Sequence, residues 1–475
     1  MGQTMLAQLL KRDFMLKSMK TLSHGMLQQA QRHAQADPDV LQLLNQFELD
    51  IRDLQVASEE FDAAIKREIA RETAELVNSA FFPRDPVVSL AQSALQEFCE
   101  AKKPDRIVKT AARGVAAPQH VAVTDTEMDP FLASFLASDS PERRLLGKYE
   151  MLDIGWANCL AAIGVRRWRN RHPFNDKPAQ PVSISNRARV VLLSDWGSGL
   201  PRAKKVSEAA REALDAPNVA DRDKHVIHLG DVYYSGLARE YENNFLASWP
   251  VKTKEAQVIS SWALNANHDM YSGGWGYFDY LLQEDSRFKR QHDADGQASS
   301  FFSLENDHWL ILGLDTGYHE NVIFDAHDLY SNQSQWVNER LAVAPNKKGI
   351  LLSHHQPFSF FEGGGEKLIA KLNGPLTNGR IRAWFWGHEH RCALYEPHKG
   401  IQYPRCIGHG GIPFYVSRSD PPKGVSYEYR HGFSDLLESW NYLGFVVLDF
   451  EDQRIDVKYI NERGHEHHHE VITKN

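Results

Sequence analysis

Five short runs of apolar and β-branched residues each stop on a residue type that binds metal ions. Val190–Leu193 precedes Asp195, His225–Leu229 precedes Asp231, Val258–Leu264 precedes Asn267, Ile350–Leu352 precedes His354, and Ala383–Trp386 precedes His388 and His390. Such runs, bounded by Gly, Asn and Asp, read as strands, and helical segments separate them, so the texture from Arg187 onward is α/β. In α/β sheets ligands gather at the carboxyl ends of strands, where the chain turns and side chains from several strands can meet in one crevice. Carboxylates, an amide and imidazoles without a thiol suit two hard or borderline di- or trivalent ions rather than a structural zinc, which predicts a hydrolytic site. One Asp-x-Gly or His-x-His is common by chance; five ligand-bearing strand ends in order carry the reading. Further strands are expected at Phe301–Leu304, Trp309–Leu314 and Gly444–Phe450, the last forming a hairpin with Arg454–Ile460.

The motifs at these strand ends are Asp195-Trp196-Gly197, Gly230-Asp231-Val232-Tyr233-Tyr234, Asn267-His268-Asp269, Leu351-Leu352-Ser353-His354 and Gly387-His388-Glu389-His390. Their order resembles the calcineurin-type metallophosphoesterases and, within them, the purple acid phosphatase pattern. Most of that family place a metal-binding His two residues after the first Asp, where this chain has Gly197. Tyr234, three residues after Asp231, stands where the purple acid phosphatases place a tyrosinate.

The resemblance implies that Asp195, Tyr234 and His390 hold a first metal, that Asn267, His354 and His388 hold a second, and that Asp231 bridges them. A hydroxide between the two metals is then the nucleophile. His268 is implied as general acid or oxyanion stabiliser, with Asp269 orienting its ring. His355 is expected to point away from its neighbour His354. A tyrosinate favours Fe(III) in the first position with Fe, Zn or Mn in the second; a Mn/Mn or Zn/Zn pair is the alternative. The implied fold is a two-sheet metallophosphoesterase sandwich with flanking helices over roughly residues 187–460. The implied activity is hydrolysis of phosphate esters, monoesters first. A phosphodiesterase, for a cyclic nucleotide or another diester, and a non-catalytic binding or regulatory scaffold are the alternatives.

The likeness extends to Gln335–Leu341, similar to the helix before the fourth motif, and to Gly408-His409-Gly410-Gly411, similar to the glycine turn after the fifth. Two positions depart from it. Ala266 replaces a usual Gly, a small steric change, and His409 replaces a frequent Asp, which is expected to put an imidazole beside the substrate pocket.

Residues 1–168 read as an all-α domain. Asp37-Pro38-Asp39 starts a helix, after which Val40, Leu44, Phe47, Ile51, Leu54, Phe61 and Ile65 follow steps of four and three, broken only by Ser58. That heptad seam closes within one chain or across a dimer, so self-association or a protein partner through these helices is expected. A polar connector at 169–186 leads into the metallophosphoesterase domain at 187–475. The histidine-rich stretch Gly464–Glu470 reads as a solvated tail. Gly363-Gly364-Gly365 reads as a rim loop, because the Lys-Ser/Thr of a phosphate loop is missing.

A formal charge of −8, from 54 basic and 62 acidic residues without long single-sign blocks, argues against a mainly electrostatic nucleic-acid binder. The expected partner is a phosphorylated small molecule or other phosphoester. No apolar run approaches the roughly 18 residues of a membrane span. Cys99, Cys159, Cys392 and Cys406 show no CxxC or metal-finger spacing and read as reduced thiols of a cytoplasmic protein.

Overall fold

The computed structural model describes residues 171–319, 327–414, 416, 420–434 and 439–474; the helical domain expected over 1–168 lies outside them. Among the described residues run β1 (Val182–Ser183), β2 (Ala188–Leu193), β3 (Asp223–His228), β4 (Ile259–Ala263), β5 (Phe302–Glu305), β6 (Trp309–Gly313), β7 (Lys348–Ser353) and β8 (Ile381–Trp386). There follow β9 (Cys392–Tyr395), β10 (Tyr403–Ile407), β11 (Val425–Glu428), β12 (Gly432–Ser434), β13 (Ser439–Asn441), β14 (Gly444–Glu451), β15 (Arg454–Asn461) and β16 (Glu466–Thr473). The helices that matter for the site are α1 (Pro201–Asp215), α2 (Asn267–Tyr271) and α3 (Gln333–Val343).

Two mixed sheets and a small β12–β13 hairpin result. One sheet has the order β16-β15-β14-β2-β3-β4, with β2, β3 and β4 parallel and β14 to β16 an antiparallel meander. The other has the order β1-β5-β6-β7-β8-β10-β9-β11, with β6, β7, β8 and β10 parallel. Parallel strands covered on both faces lack polar alternation, which is why β2, buried at every position, appears from Val190 to Leu193 as an unbroken apolar run. Successive side chains of the larger sheet enter two cores. Ile311, Ile350, Leu352 and Phe385 pack with Val190, Leu192, Ile227, Trp262 and Leu448 of the other sheet. Leu310, Leu312, Leu351 and Trp384 pack with Trp336, Val337 and Leu341 of α3. Helix α1 buries Val206, Ala210 and Leu214 and lies beside β2 and β14.

The sequence reading is corrected at the end of the chain. Gly464–Glu470 is not a solvated tail, for Glu466–Thr473 is β16, paired antiparallel with β15. Main-chain pairing holds this polar segment, and Glu470 anchors it, accepting a fork from Arg405 (2.7 and 2.6 Å) and the Tyr459 hydroxyl (2.7 Å). The end of the connector is likewise structured: β1 pairs in parallel with β5, and the His172 ring stacks on Phe278 at 4.6 Å.

Candidate metal centre

The strand ends deliver their side chains through turns that a regular strand cannot make. Asp195, Asp231, His388 and His390 have φ of 53°, 75°, 67° and 32°. That left-handed region costs a non-glycine residue about 1–2 kcal/mol, and such strain persists only where the surroundings impose it. Here the amide of His388 donates to both Asp195 oxygens (3.2 and 3.0 Å), and the amide of His268 donates to Asp231 Oδ1 (3.2 Å). Two glycines permit the close approach. A Cβ at Gly230, where φ is 108°, would meet His354 Nδ1 at 2.9 Å, and a Cβ at Gly387 would overlap the Ser194 hydroxyl and the Asp195 carboxylate.

The side chains then converge. Asp195, Asp231 and His390 each bring a ligand atom within 4.8 Å of the others. On the other side of Asp231, His354 Nε2 lies 3.5 Å from Asp231 Oδ1, 2.9 Å from Asn267 Oδ1 and 3.3 Å from His388 Nδ1. The Nδ1–H of His354 donates to the Leu229 carbonyl (3.1 Å), which fixes the tautomer with the Nε2 lone pair toward the cluster. All of these residues are buried except His388, which is half-buried and marks the open side.

Electrostatics argues that cations belong here. Burial, then the neighbouring Asp195 and Asp269, pushes the Asp231 carboxyl well above the usual range. Burial also raises Asp195, but the His390 hydrogen bond and charge, with the Ser194 hydroxyl, outweigh it and hold that carboxyl low. Carboxylates packed together out of water are costly without a compensating positive charge. The carboxylate, amide and imidazole donors fit hard or borderline ions.

The Tyr233 hydroxyl enters the cluster, 3.3 Å from Asp195 Oδ1, 2.9 Å from Asp231 Oδ2 and 3.0 Å from His390 Nε2. Tyr234, which the resemblance assigns to the first metal, is buried beside it. Its amide donates to Glu240 (2.8 Å), and its carbonyl accepts from His268 Nδ1 (2.7 Å). The His268 ring is therefore oriented by that carbonyl. The Asp269 carboxylate, expected in that role, accepts from the amides of Asp231 (3.3 Å) and Val232 (3.1 Å) and from the Tyr241 hydroxyl (2.6 Å). Burial pushes His268 down to about 3 and Asp269 up to about 7.

Three further expectations meet the geometry. The His355 ring, expected to point elsewhere, stands 4.7 Å from that of His388 and 4.8 Å from that of His327, with Nδ1 3.0 Å from Thr316 Oγ1. His409 does not border a substrate pocket. The glycine turn packs against Ser194 and Trp196 and leaves the imidazole fully buried, where desolvation lowers it to about 4. Ala266 adopts extended backbone (φ −140°), which suits any residue, so it needs no steric compensation.

Two positioning residues escaped the sequence reading. Glu389, between the ligand histidines, accepts from Trp386 Nε1 (2.9 Å), the Tyr395 hydroxyl (3.2 Å) and the Ser359 hydroxyl, and so pins the His388–His390 turn. Its place inside Gly-His-Glu-His was the available signal. Glu240 gathers the amides of Tyr234, Ser235 and Leu237, and no local pattern announced it.

The calcineurin-like phosphoesterase family profile matches residues 188–392. No curated protein matches the chain. Among solved structures, the chain is similar to GAP50, described as the anchor in the inner membrane complex of Plasmodium, at 13% identity and a TM-score of 0.45, covering 60% of this chain and 89% of that one. A dimetal phosphatase from Danio rerio is similar at 12% identity and a TM-score of 0.39, covering 61% of this chain and 99% of that one. PhoD is similar at 11% identity and a TM-score of 0.40, covering 62% of this chain and 70% of that one. The sequence profile makes the assignment: at residues 188–392 the chain carries a domain of the calcineurin-like metallophosphoesterase family, a family of phosphoric ester hydrolases.

Proposed function

We propose that this domain hydrolyses phosphate monoesters with two metal ions held about Asp231. The observation that carries the reading is the convergence of two ligand groups on one buried carboxylate: Asp195 and His390 on one side, Asn267, His354 and His388 on the other. The first ion would take Asp195, His390 and a tyrosine phenol, that of Tyr233 in this geometry, and the second Asn267, His354 and His388, with Asp231 shared. A phenolate donor suits Fe(III) in the first position and leaves Fe, Zn or Mn for the second. Two such ions supply a nucleophile at neutral pH and neutralise charge on the phosphoryl oxygens.

The chain's own residues orient the substrate and move its protons. With its Nδ1–H committed to the Tyr234 carbonyl, His268 exchanges a proton only at Nε2. Burial keeps the ring neutral, so it donates to the leaving oxygen only once the negative charge of a bound phosphate has raised it enough to be protonated there. Asp269 acts one step back, holding the Asp231–Val232 amides and hence the turn that carries the shared ligand. His355 and His327 flank His388 on the open side, where phosphoryl oxygens would arrive.

Metal-loaded protein assayed on an aryl phosphate monoester and on the matching diester tests the reading. Faster monoester turnover, reduced about 10²-fold or more in His268→Ala, is expected. A preference for the diester would move the substrate class to phosphodiesters. Hydrolysis of neither at full metal occupancy would point to a non-catalytic scaffold.

A further inference from the structure

Behind the ligand cluster, one thiol and two imidazoles meet in the interior. Cys392 opens β9, His409 follows β10 in the glycine turn, and His467 lies on β16. One donor atom from each lies within 4.8 Å of the others. Cys392 and His409 are fully buried, and His467 is half-buried with its Nε2 shielded from solvent.

A carbonyl fixes the His409 tautomer. His409 Nδ1 faces the Ile407 carbonyl at 3.3 Å, so its proton sits there. His467 Nδ1 lies 3.0 Å from the Tyr427 hydroxyl, whose single hydrogen goes either to that nitrogen or to the His467 carbonyl (3.3 Å). His409 Nε2 is left as a lone pair, and neither Nε2 has a hydrogen-bond partner among the described residues. Burial keeps both rings neutral, with His409 lowered to about 4 and His467 to about 2. Buried imidazole nitrogens left without a partner are costly, which a bound cation would relieve.

The backbone supports the same arrangement. The β15–β16 register shifts between Tyr459 and Ile460: Tyr459 pairs with His468 and Ile460 with Glu466, which leaves His467 as the extra residue. Bulges of this kind re-aim a side chain. The His467 ring is then clamped on Tyr429 at 3.6 Å and 10°.

We propose that Cys392, His409 and His467 hold a zinc ion, separate from the ligand cluster around Asp231. A thiolate with two imidazole nitrogens is a borderline-soft set that suits Zn²⁺. On binding, Cys392 loses its proton to water and coordinates as the thiolate. The ion ties β9 and the turn after β10, in one sheet, to β16 in the other.

Cobalt substitution tests this, because the Asp231 cluster contains no thiol. Full-length protein loaded with Co²⁺ should show a thiolate-to-cobalt charge-transfer band equivalent to one ion per chain. The band should persist in Asp231→Asn and vanish in Cys392→Ser. Should Cys392→Ser fail to fold, His467→Ala on the half-exposed strand decides the matter: loss or a marked shift of the band supports the site, and an unchanged band overturns it. Absence of any thiolate band in the wild-type protein with cobalt bound elsewhere also overturns it.

Discussion

Asp231 sits where the two ligand groups meet, in a left-handed turn and out of water beside Asp195 and Asp269. Asn tolerates that backbone as Asp does, so Asp231→Asn keeps the turn and removes one of three crowded carboxylates. In the absence of metal the variant is expected to melt at the same temperature as the wild type or above it, while the rise on adding metal shrinks. Thermal scans with and without chelator read both effects. A metal-free variant melting several degrees below the wild type would show that the carboxylate is not a source of strain. The tyrosine pair separates by spectrum. Tyr233, whose hydroxyl touches Asp195, Asp231 and His390, should be the phenol on Fe(III). Visible absorption of iron-loaded protein is expected to lose its tyrosinate band in Tyr233→Phe and to keep it in Tyr234→Phe; the reverse would return the role to Tyr234.

Between elements, the join of β2 to β14 carries a buried fork: Arg189 donates from Nε and Nη2 to Asp449, both at 2.6 Å, with the side chains 5% and 6% exposed. Breaking one half of such a pair leaves a stranded charge. Asp449→Ala is therefore expected to cost about 3–5 kcal/mol in urea unfolding, and Arg189→Met combined with Asp449→Leu to recover most of it. Equal losses in the single and double variants would contradict this account. The same elements show what the sequence makes legible. Strands β2, β3, β4, β7 and β8 lie within two residues of their predicted starts, because each carries a buried apolar stretch just before its turn. Strands β9, β10, β11 and β16 were not read, since they mix charge and aromatics and owe their form to partners far along the chain. The convergence of side chains at the strand ends was legible for the same reason as their strands. The approach of the Tyr233 hydroxyl to Asp195 and Asp231 was not, because Glu240 shapes that loop through main-chain amides. His409 was misplaced because burial behind a glycine turn depends on both sheets.

Across the whole domain, buried neutral histidines set the response to acid. His228 lies among the rings of Trp196, Phe245 and Trp249, and burial lowers it to about 3 from an ordinary 6.5. Below pH 6.5 the unfolded chain takes up a proton that the folded chain refuses, so stability falls as the pH drops from 6.5 toward 3. At pH 5 this one residue accounts for about 2 kcal/mol of that loss. His228→Phe, which fits the aromatic surroundings, is expected to shrink the stability difference between pH 7 and pH 5 by that amount in urea titrations. An unchanged difference would contradict the assignment. The acid-sensitive interior and the crowded carboxylates belong to the same scaffold, which holds charge and lone pairs in place for cations. The most direct test of that claim is turnover of an aryl phosphate by the full-length protein, measured before chelation, after it, and after metal is restored, in the wild type and in Asp231→Asn. The account predicts activity that chelation removes and metal restores, and that falls by about 10³-fold or more in Asp231→Asn. Activity that survives chelation, or that Asp231→Asn leaves intact, would contradict it.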